Sequence, residues 1–313
     1  MQVPNGLTCL TRQGIMAESR INERDSQVAL GGCTPLSLGS AGMTIAISVK
    51  VSEGLVLAAD SALAVHGEVK IGNGPPQKGL LQVYSHAKKV TQIKDYPVGT
   101  VTWGLGQIGQ RTIESLVREY ANSLPENPPK QVREIADELH AFINQKYQAA
   151  VGDTRLELGI QVAGYSPDRF FPEQYVLTFP PSEHGAIFDA RPNNPDGTPS
   201  FGANWYGLNE AVVRLVLGFE PLAIKALRDA GVQEAVADKI RGFEYPIIFE
   251  SMPLQDAIDF AAWIAEVVIG RQRFVAGPAQ VLPPVDIAII TRHGGFDWVR
   301  QKKHGISSDQ PFW

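Results

Sequence analysis

From residue 44 onward apolar positions alternate with small or polar ones: Ile45, Ile47, Val49 and Val51 against Ala46, Ser48 and Lys50. That period of two predicts a strand with one buried face. Ser52, Glu53 and Gly54 supply a turn, and LVLAAD (55–60) runs back, so this part of the chain opens with a hairpin. A polar Gly/Pro stretch (68–79) leads to KKVTQI (88–93) and VGTVTWGL (98–105), two further strands around Asp95, Tyr96 and Pro97. The period then lengthens. Ile113, Leu116, Val117, Tyr120 and Leu124 form one helical stripe, and Val132, Ile135, Leu139, Phe142 and Ile143 form another, with NSLPENPP breaking the chain between them. LELGIQVAG (156–164), YVLTF (175–179) and AIFDA (186–190) return to strand patterning, and ARPNNPDGTPS (190–200) reads as a surface loop. Helical patterning resumes at 210–217 and 221–241 and pauses at FEYPIIFESMP. It is strongest from about Leu254, with Ile258, Ala261, Ala265 and Val268 on one face. VDIAIITR (285–292) and FDWVR (296–300) close the pattern as a hairpin over His293, Gly294 and Gly295.

Strands, two helices, strands, helices, strands: such segregated runs predict an α+β protein, antiparallel sheets with helices packed outside them. No repeat or linker interrupts the chain after residue 44, so one domain is expected over 44–302, followed by a tail (303–313). Residues 1–43 carry no sustained period and are rich in Gly, Ser and Arg, which reads as an unstructured or removable extension.

Composition narrows the function classes. The 313 residues are 44% hydrophobic and 19% charged, as in a soluble globular protein, and the net charge of -5 offers no attraction to nucleic acid or an anionic membrane. The longest apolar stretch, IDFAAWIAEVVIG, is too short and too interrupted by acids to span a bilayer. No basic-then-apolar secretory pattern opens the chain, so a cytoplasmic location is expected. Both cysteines, Cys9 and Cys33, precede residue 44, which excludes a cysteine nucleophile or a cysteine zinc site downstream. There is no HExxH, no GxSxG elbow and no pair of histidines at ligand spacing, and nothing points to a metal or organic cofactor. Gly104 to Gly109 (GLGQIG) matches GxGxxG between a strand and a helix. The next element is a second helix rather than the parallel strand a dinucleotide site needs, so a close-passing glycine turn is the better reading.

The opening motifs resemble a known family. MTIAISVKVSEGLVLAADS (43–61), HAKKVTQI, and VTWGLGQIGQRTIESLVREY occur in the order found at the start of proteasome β-type subunits and their bacterial proteasome-like relatives. These are N-terminal-nucleophile (Ntn) hydrolases. The resemblance is specific from 43 to about 122 and compatible in layout as far as VDIAIITR. It implies a four-layer αββα sandwich of two antiparallel sheets, a homo-oligomeric ring or related assembly, and a peptide or protein substrate. It also implies a nucleophile sixteen residues before the acid of the AAD motif: counting back from Asp60 lands on Thr44. The family's lysine maps to Lys89, with Lys70, Lys78 and Lys88 as fallbacks, and its oxyanion glycine maps to Gly104.

These residue types suit the chemistry. A threonine hydroxyl needs a base, and an N-terminal threonine carries one in its α-amine, which titrates near pH 8. A Lys⁺ about 4 Å away, at an effective dielectric near 20, disfavours the protonated amine by up to roughly 4 kcal/mol. Asp60 would keep Lys89 charged and aimed, and the Gly104 N–H would meet the developing oxyanion.

The sequence departs from the family pattern in three places. Met43 stands where a glycine usually precedes the nucleophile, and Ile45 replaces a common second threonine. The downstream serine and Asp-x-x-Ser-Gly-Gly cluster correspond to FGANWYG (201–207) and RQRFVAGP (271–278), where Asn204 is the candidate substitute for one hydroxyl and no acid appears. Translation starting at Met43, followed by methionine removal, would expose Thr44 without self-cleavage. Two rival expectations stand beside the threonine peptidase: an Ntn amidohydrolase acting on a small amide, and a catalytically silent assembly subunit that keeps its extension.

Overall fold

A computed structural model describes residues 44–69, 77–126, 130–151 and 156–303. The extension with its two cysteines, Lys70 and all of the tail but Lys303 lie outside the described residues. The first five-stranded sheet is ordered β12-β1-β2-β13-β14, and the second β11-β10-β9-β6-β5. In the first, β1 (Ile45–Val51) lies between β2 (Gly54–Ala59) and β12 (Gly202–Gly207), while β13 (Asp286–Thr291) joins β2 to β14 (Gly295–Arg300). The second contains β5 (Val90–Gln92), β6 (Val98–Gly104), β9 (Leu158–Gly164), β10 (Glu173–Ser182) and β11 (Gly185–Asp189). Every pairing within these two sheets is antiparallel. Two small ladders stand apart: β3 (Leu63–Val69) with β4 (Gln77–Tyr84), and β7 (Gln107–Ile108) with β8 (Arg111–Thr112).

The helices are α1 (Ile113–Ser123), α2 (Val132–Val151), α3 (Glu210–Leu217), α4 (Pro221–Asp229), α5 (Glu234–Arg241) and α6 (Leu254–Gln272). α1 begins where the Thr112 side chain accepts a hydrogen bond from the Ser115 N–H, an ordinary N-cap. Its stripe packs with that of α2 on the second sheet: Leu116, Val117, Ile135 and Leu139 lie against Val98, Ile160 and Val162. On the first sheet, Ile258, Ala261, Ala265 and Val268 of α6 and Val212, Val213 and Val216 of α3 cover Ile45, Ile47 and Val49. Each buried Ile, Leu or Val of these faces contributes on the order of 1.5–3 kcal/mol.

The even positions of β1 are buried as well. Ala46, with Leu55, Leu57 and Ala59 of β2, packs against Val90, Val101 and Ala163 of the second sheet. The expectation of a half-exposed first strand is therefore corrected: both faces are covered.

Candidate active site

The site forms at the N-terminal end of β1 and the C-terminal ends of β2 and β6. β1 and β2 are antiparallel, Ala46 facing Ala59, so Thr44 and Asp60 emerge at the same end of the hairpin. Thr44 is 2% exposed and Asp60 fully buried. The Asp60 carboxylate is held by backbone donors: Ile45 N–H donates to Oδ1 at 3.1 Å, and Ala62 and Leu282 N–H donate to Oδ2 at 2.8 and 3.2 Å.

Lys89 closes the group. Its Nζ donates to Asp60 Oδ1 at 2.6 Å and to Thr44 Oγ1 at 2.8 Å. The family resemblance pointed to Thr44, Asp60 and Lys89; the fold brings all three into hydrogen-bond contact across 45 residues of chain. Lys88 takes no part in these contacts, Lys70 is outside the described residues, and the side chain of Lys78 is likewise not described. Burial pushes the Lys89 ammonium below the ordinary lysine range. Asp60 opposes that shift through its charge and hydrogen bond, and the positive charge of Lys302 adds to it.

Gly104 ends β6 with φ +83°. Leu105 N–H donates to Glu157 O, whereas Thr102 N–H donates to Lys89 O. Because donors alternate along an antiparallel strand, the Gly104 N–H points to the same edge as that of Thr102, the edge carrying Lys89. Continuing the β5–β6 register would place Ala87 opposite Gly104. The Ala87 groups are diverted: its N–H donates to Ser61 O at 3.0 Å, and its carbonyl accepts from Lys302 Nζ at 2.6 Å. The ladder stops short of Gly104, leaving an open edge beside the lysine.

Sequence reasoning missed two contributors. Lys302 and Asp286 form a second buried ion pair at 2.9 Å, 3% and 1% exposed, with the Lys302 N–H also donating to Asp286 Oδ1 at 2.7 Å. Asp286 faces Ala59 across the β2–β13 ladder, one residue before Asp60. The available signal was the acid opening the apolar run VDIAIITR; nothing local marks Lys302. The second contributor is β12, absent from the strand pattern because GANWYG mixes glycine, polar and aromatic residues. Gly207 faces Ile45, and with φ +85° its missing Cβ leaves room for the Thr44 carbonyl, which accepts from Leu208 N–H at 2.7 Å.

Asn204 does not reach Thr44. It faces Ser48, four residues along β1, and its side-chain amide donates to Gln174 Oε1 at 2.9 Å and to Ser48 Oγ at 3.4 Å. Its expected role as a substitute hydroxyl is corrected by register. The stretch 273–278 is exposed and brings no acid to the site.

No family model matches the chain, and no curated protein matches it. Among solved structures it is similar to the helical assembly of the Anbu complex from Pseudomonas aeruginosa, at 14% identity over 83% of this chain and 88% of that one, with a TM-score of 0.48. Anbu (ancestral beta-subunit) from Yersinia bercovieri gives 12% identity, the same coverages and a TM-score of 0.45. A Gly-1 mutant of Anbu from Hyphomicrobium sp. strain MC1 gives 14% identity over 85% and 89%, with a TM-score of 0.46. These findings correct the family expectation: the structures it resembles are Anbu proteins, proteasome-like but distinct from the proteasome β-type and bacterial proteasome-like family that the opening motifs suggested. The motifs specify a hairpin, an acid at its end, a lysine and a strand-ending glycine, a local geometry that leaves more than one family open. Among the described residues, no helix is long and apolar enough to cross a membrane.

Proposed function

We propose that this chain is an N-terminal threonine hydrolase that cleaves peptide or other amide bonds through an acyl-threonine intermediate, on a four-layer αββα Ntn framework spanning 44–302. The observation that carries the reading is the position of Lys89 Nζ, shared between Thr44 Oγ1 at 2.8 Å and Asp60 Oδ1 at 2.6 Å. A buried ammonium pointed at a hydroxyl oxygen stabilises negative charge developing there. Once the Met43–Thr44 peptide bond is absent, the Thr44 nitrogen becomes an amine and takes the hydroxyl proton as Oγ1 attacks the substrate carbonyl. The carbonyl oxygen gathers charge toward the Gly104 N–H. The protonated amine then returns its proton to the leaving nitrogen, and the C–N bond breaks to give the acyl-enzyme, which water hydrolyses.

Self-association is part of the proposal. The exposed side chains of Phe243 (70%), Tyr245 (69%) and Ile248 (73%) support it, and sedimentation velocity tests it.

The decisive experiment treats active protein with a peptide epoxyketone and locates the adduct by intact-mass and peptide mapping. The expected result is one adduct on a chain that begins at Thr44, absent in Thr44→Ala. An unreactive protein that retains the Met43–Thr44 bond would instead support the silent assembly subunit, which the lack of an acid from 273–278 favours. Turnover of small amides but not peptides would assign the amidohydrolase.

A further inference from the structure

Two aromatic rings meet between the sheets, each one residue away from a glycine of the Thr44 site. The Trp103 indole of β6 and the Tyr206 ring of β12 stack at 4.0 Å between centroids, with their planes 5° apart. Tyr206 faces Ala46 across the β1–β12 ladder and so shares the inward face of the first sheet. Trp103 faces Gly159 across the β6–β9 ladder, and a Cβ on that glycine would meet three indole atoms at 2.0, 2.2 and 2.4 Å. The indole therefore lies flat on bare backbone of the second sheet, and the ring carried by the first sheet covers its other face. Glycine backbone, indole and phenol ring form a column across the space of about 10 Å that separates stacked sheets.

The column leads directly to the reacting groups. Gly104, whose N–H faces the edge beside Lys89, is the residue after Trp103. Gly207, whose missing Cβ makes room for the Thr44 carbonyl, is the residue after Tyr206, and Leu208 N–H holds that carbonyl at 2.7 Å. Thr44 is thus fixed to the backbone that follows one ring, and the oxyanion donor belongs to the backbone that follows the other. Lys89 also links Thr44 to the second sheet, but through a flexible four-carbon stem that places charge near Oγ1 without fixing the backbone of β6. Burial raises the Tyr206 phenol above its ordinary range, so the ring stays uncharged at neutral pH. The stack uses the ring and not its hydroxyl.

An oxyanion donor works only within a narrow distance of the developing charge, and a displacement of about 1 Å can cost on the order of a hundredfold in rate. We propose that Trp103 and Tyr206 are positioning residues whose stack sets the distance between the Thr44 hydroxyl and the Gly104 N–H. The role rests on the hydrolase reading, and it governs the chemical step rather than the binding of substrate.

The test measures inactivation by the peptide epoxyketone over a range of concentrations, which separates its binding constant KI from the covalent rate kinact. Tyr206→Leu is expected to lower kinact at least about tenfold while changing KI less than about threefold, and Tyr206→Phe, which keeps the ring, to stay within about twofold of the unaltered chain. Loss of folded protein alone would lower the fraction labelled and leave kinact unchanged. Gly159→Ala reaches the stack from its other side, with a methyl group that displaces the indole, and should lower kinact by a comparable factor. It decides the matter where Tyr206→Leu does not fold. Mild periodate cleaves an N-terminal threonine only where its amine is free, so treating the denatured unaltered chain with it distinguishes the two ways of failing. A free Thr44 amine with kinact unchanged in the variants, or lowered equally in Tyr206→Phe and Tyr206→Leu, overturns the positioning role alone. An amine locked in the Met43–Thr44 bond overturns the hydrolase reading and the positioning role with it.

Discussion

Asp60 Oδ1 and Lys89 Nζ lie 2.6 Å apart, with the aspartate side chain fully buried and the lysine 8% exposed. A pair this deep is weak evidence of net stability, because desolvating both ions offsets much of their attraction, but removing one partner strands the other. Three backbone N–H groups also converge on Asp60, so the pair is fixed to β1, β2 and the segment before β13.

Asp60→Asn is therefore expected to destabilise the chain by about 3–5 kcal/mol, read as a lower midpoint in urea at neutral pH. The loss should shrink at alkaline pH, where Lys89 gives up its proton and needs no counter-charge. A midpoint unchanged at pH 7 would mean that the pair does not form.

Lys302→Met should affect both stability and reactivity. It leaves the Asp286 carboxylate, 1% exposed, without its ammonium, and it releases the Ala87 carbonyl two residues before Lys89. The expected destabilisation is about 3 kcal/mol. Reaction of Thr44 with the epoxyketone should slow about tenfold, equivalent to about 1.4 kcal/mol. Lys302 acts here as a positioning residue, so Lys302→Arg should recover part of the reactivity while shifting its pH profile less than methionine does. Unchanged reactivity in Lys302→Met would remove the residue from the mechanism.

Two glycine substitutions separate crowding from backbone strain. Gly207→Ala puts a methyl group against the Thr44 carbonyl at φ +85°, whereas Gly185→Ala at φ +99° meets open space. The second should cost about 1 kcal/mol, and the first clearly more, about 3 kcal/mol or above once the clash is added. Equal losses on chemical denaturation would show that Thr44 is not held against β12.

His140 supplies a pH dependence with a definite sign. It stacks on Phe179 at 4.7 Å between ring centroids, and burial lowers its proton affinity, opposed by Asp137 and a backbone contact with Thr178. The unfolded chain then binds a proton before the folded one does, so stability rises with pH between the folded pKa and 6.5. Acidifying from 6.5 downward should lose that contribution, and His140→Phe should flatten this part of the stability profile. A profile identical in the two proteins would rule out His140 as its source.

Much of the fold was legible because its signals are local. The stripes of α1, α2 and α6 were read from spacing, and each packs its predicted face on a sheet. β3 and β4 were missed because 68–79 is polar and glycine-rich, and the reading of 221–241 as continuous helix missed its division into α4 and α5. Of the candidate site, Thr44, Asp60 and Lys89 were pointed to by the family resemblance of the opening motifs, and they lie in hydrogen-bond contact. Asn204 was misassigned because the position of β12 along β1 has no local signature.

The order of the amino acids alone determined the hairpin that puts Thr44 and Asp60 at one end, since a tight turn between two alternating strands fixes their register within the chain. Only the tertiary structure decided what surrounds that end. Lys89 reaches Asp60 because two sheets stack, and Lys302 reaches Ala87 because the chain returns after more than two hundred residues. Long-range contacts of this kind depend on which faces exclude water together, a property of the assembled layers rather than of any short stretch of sequence.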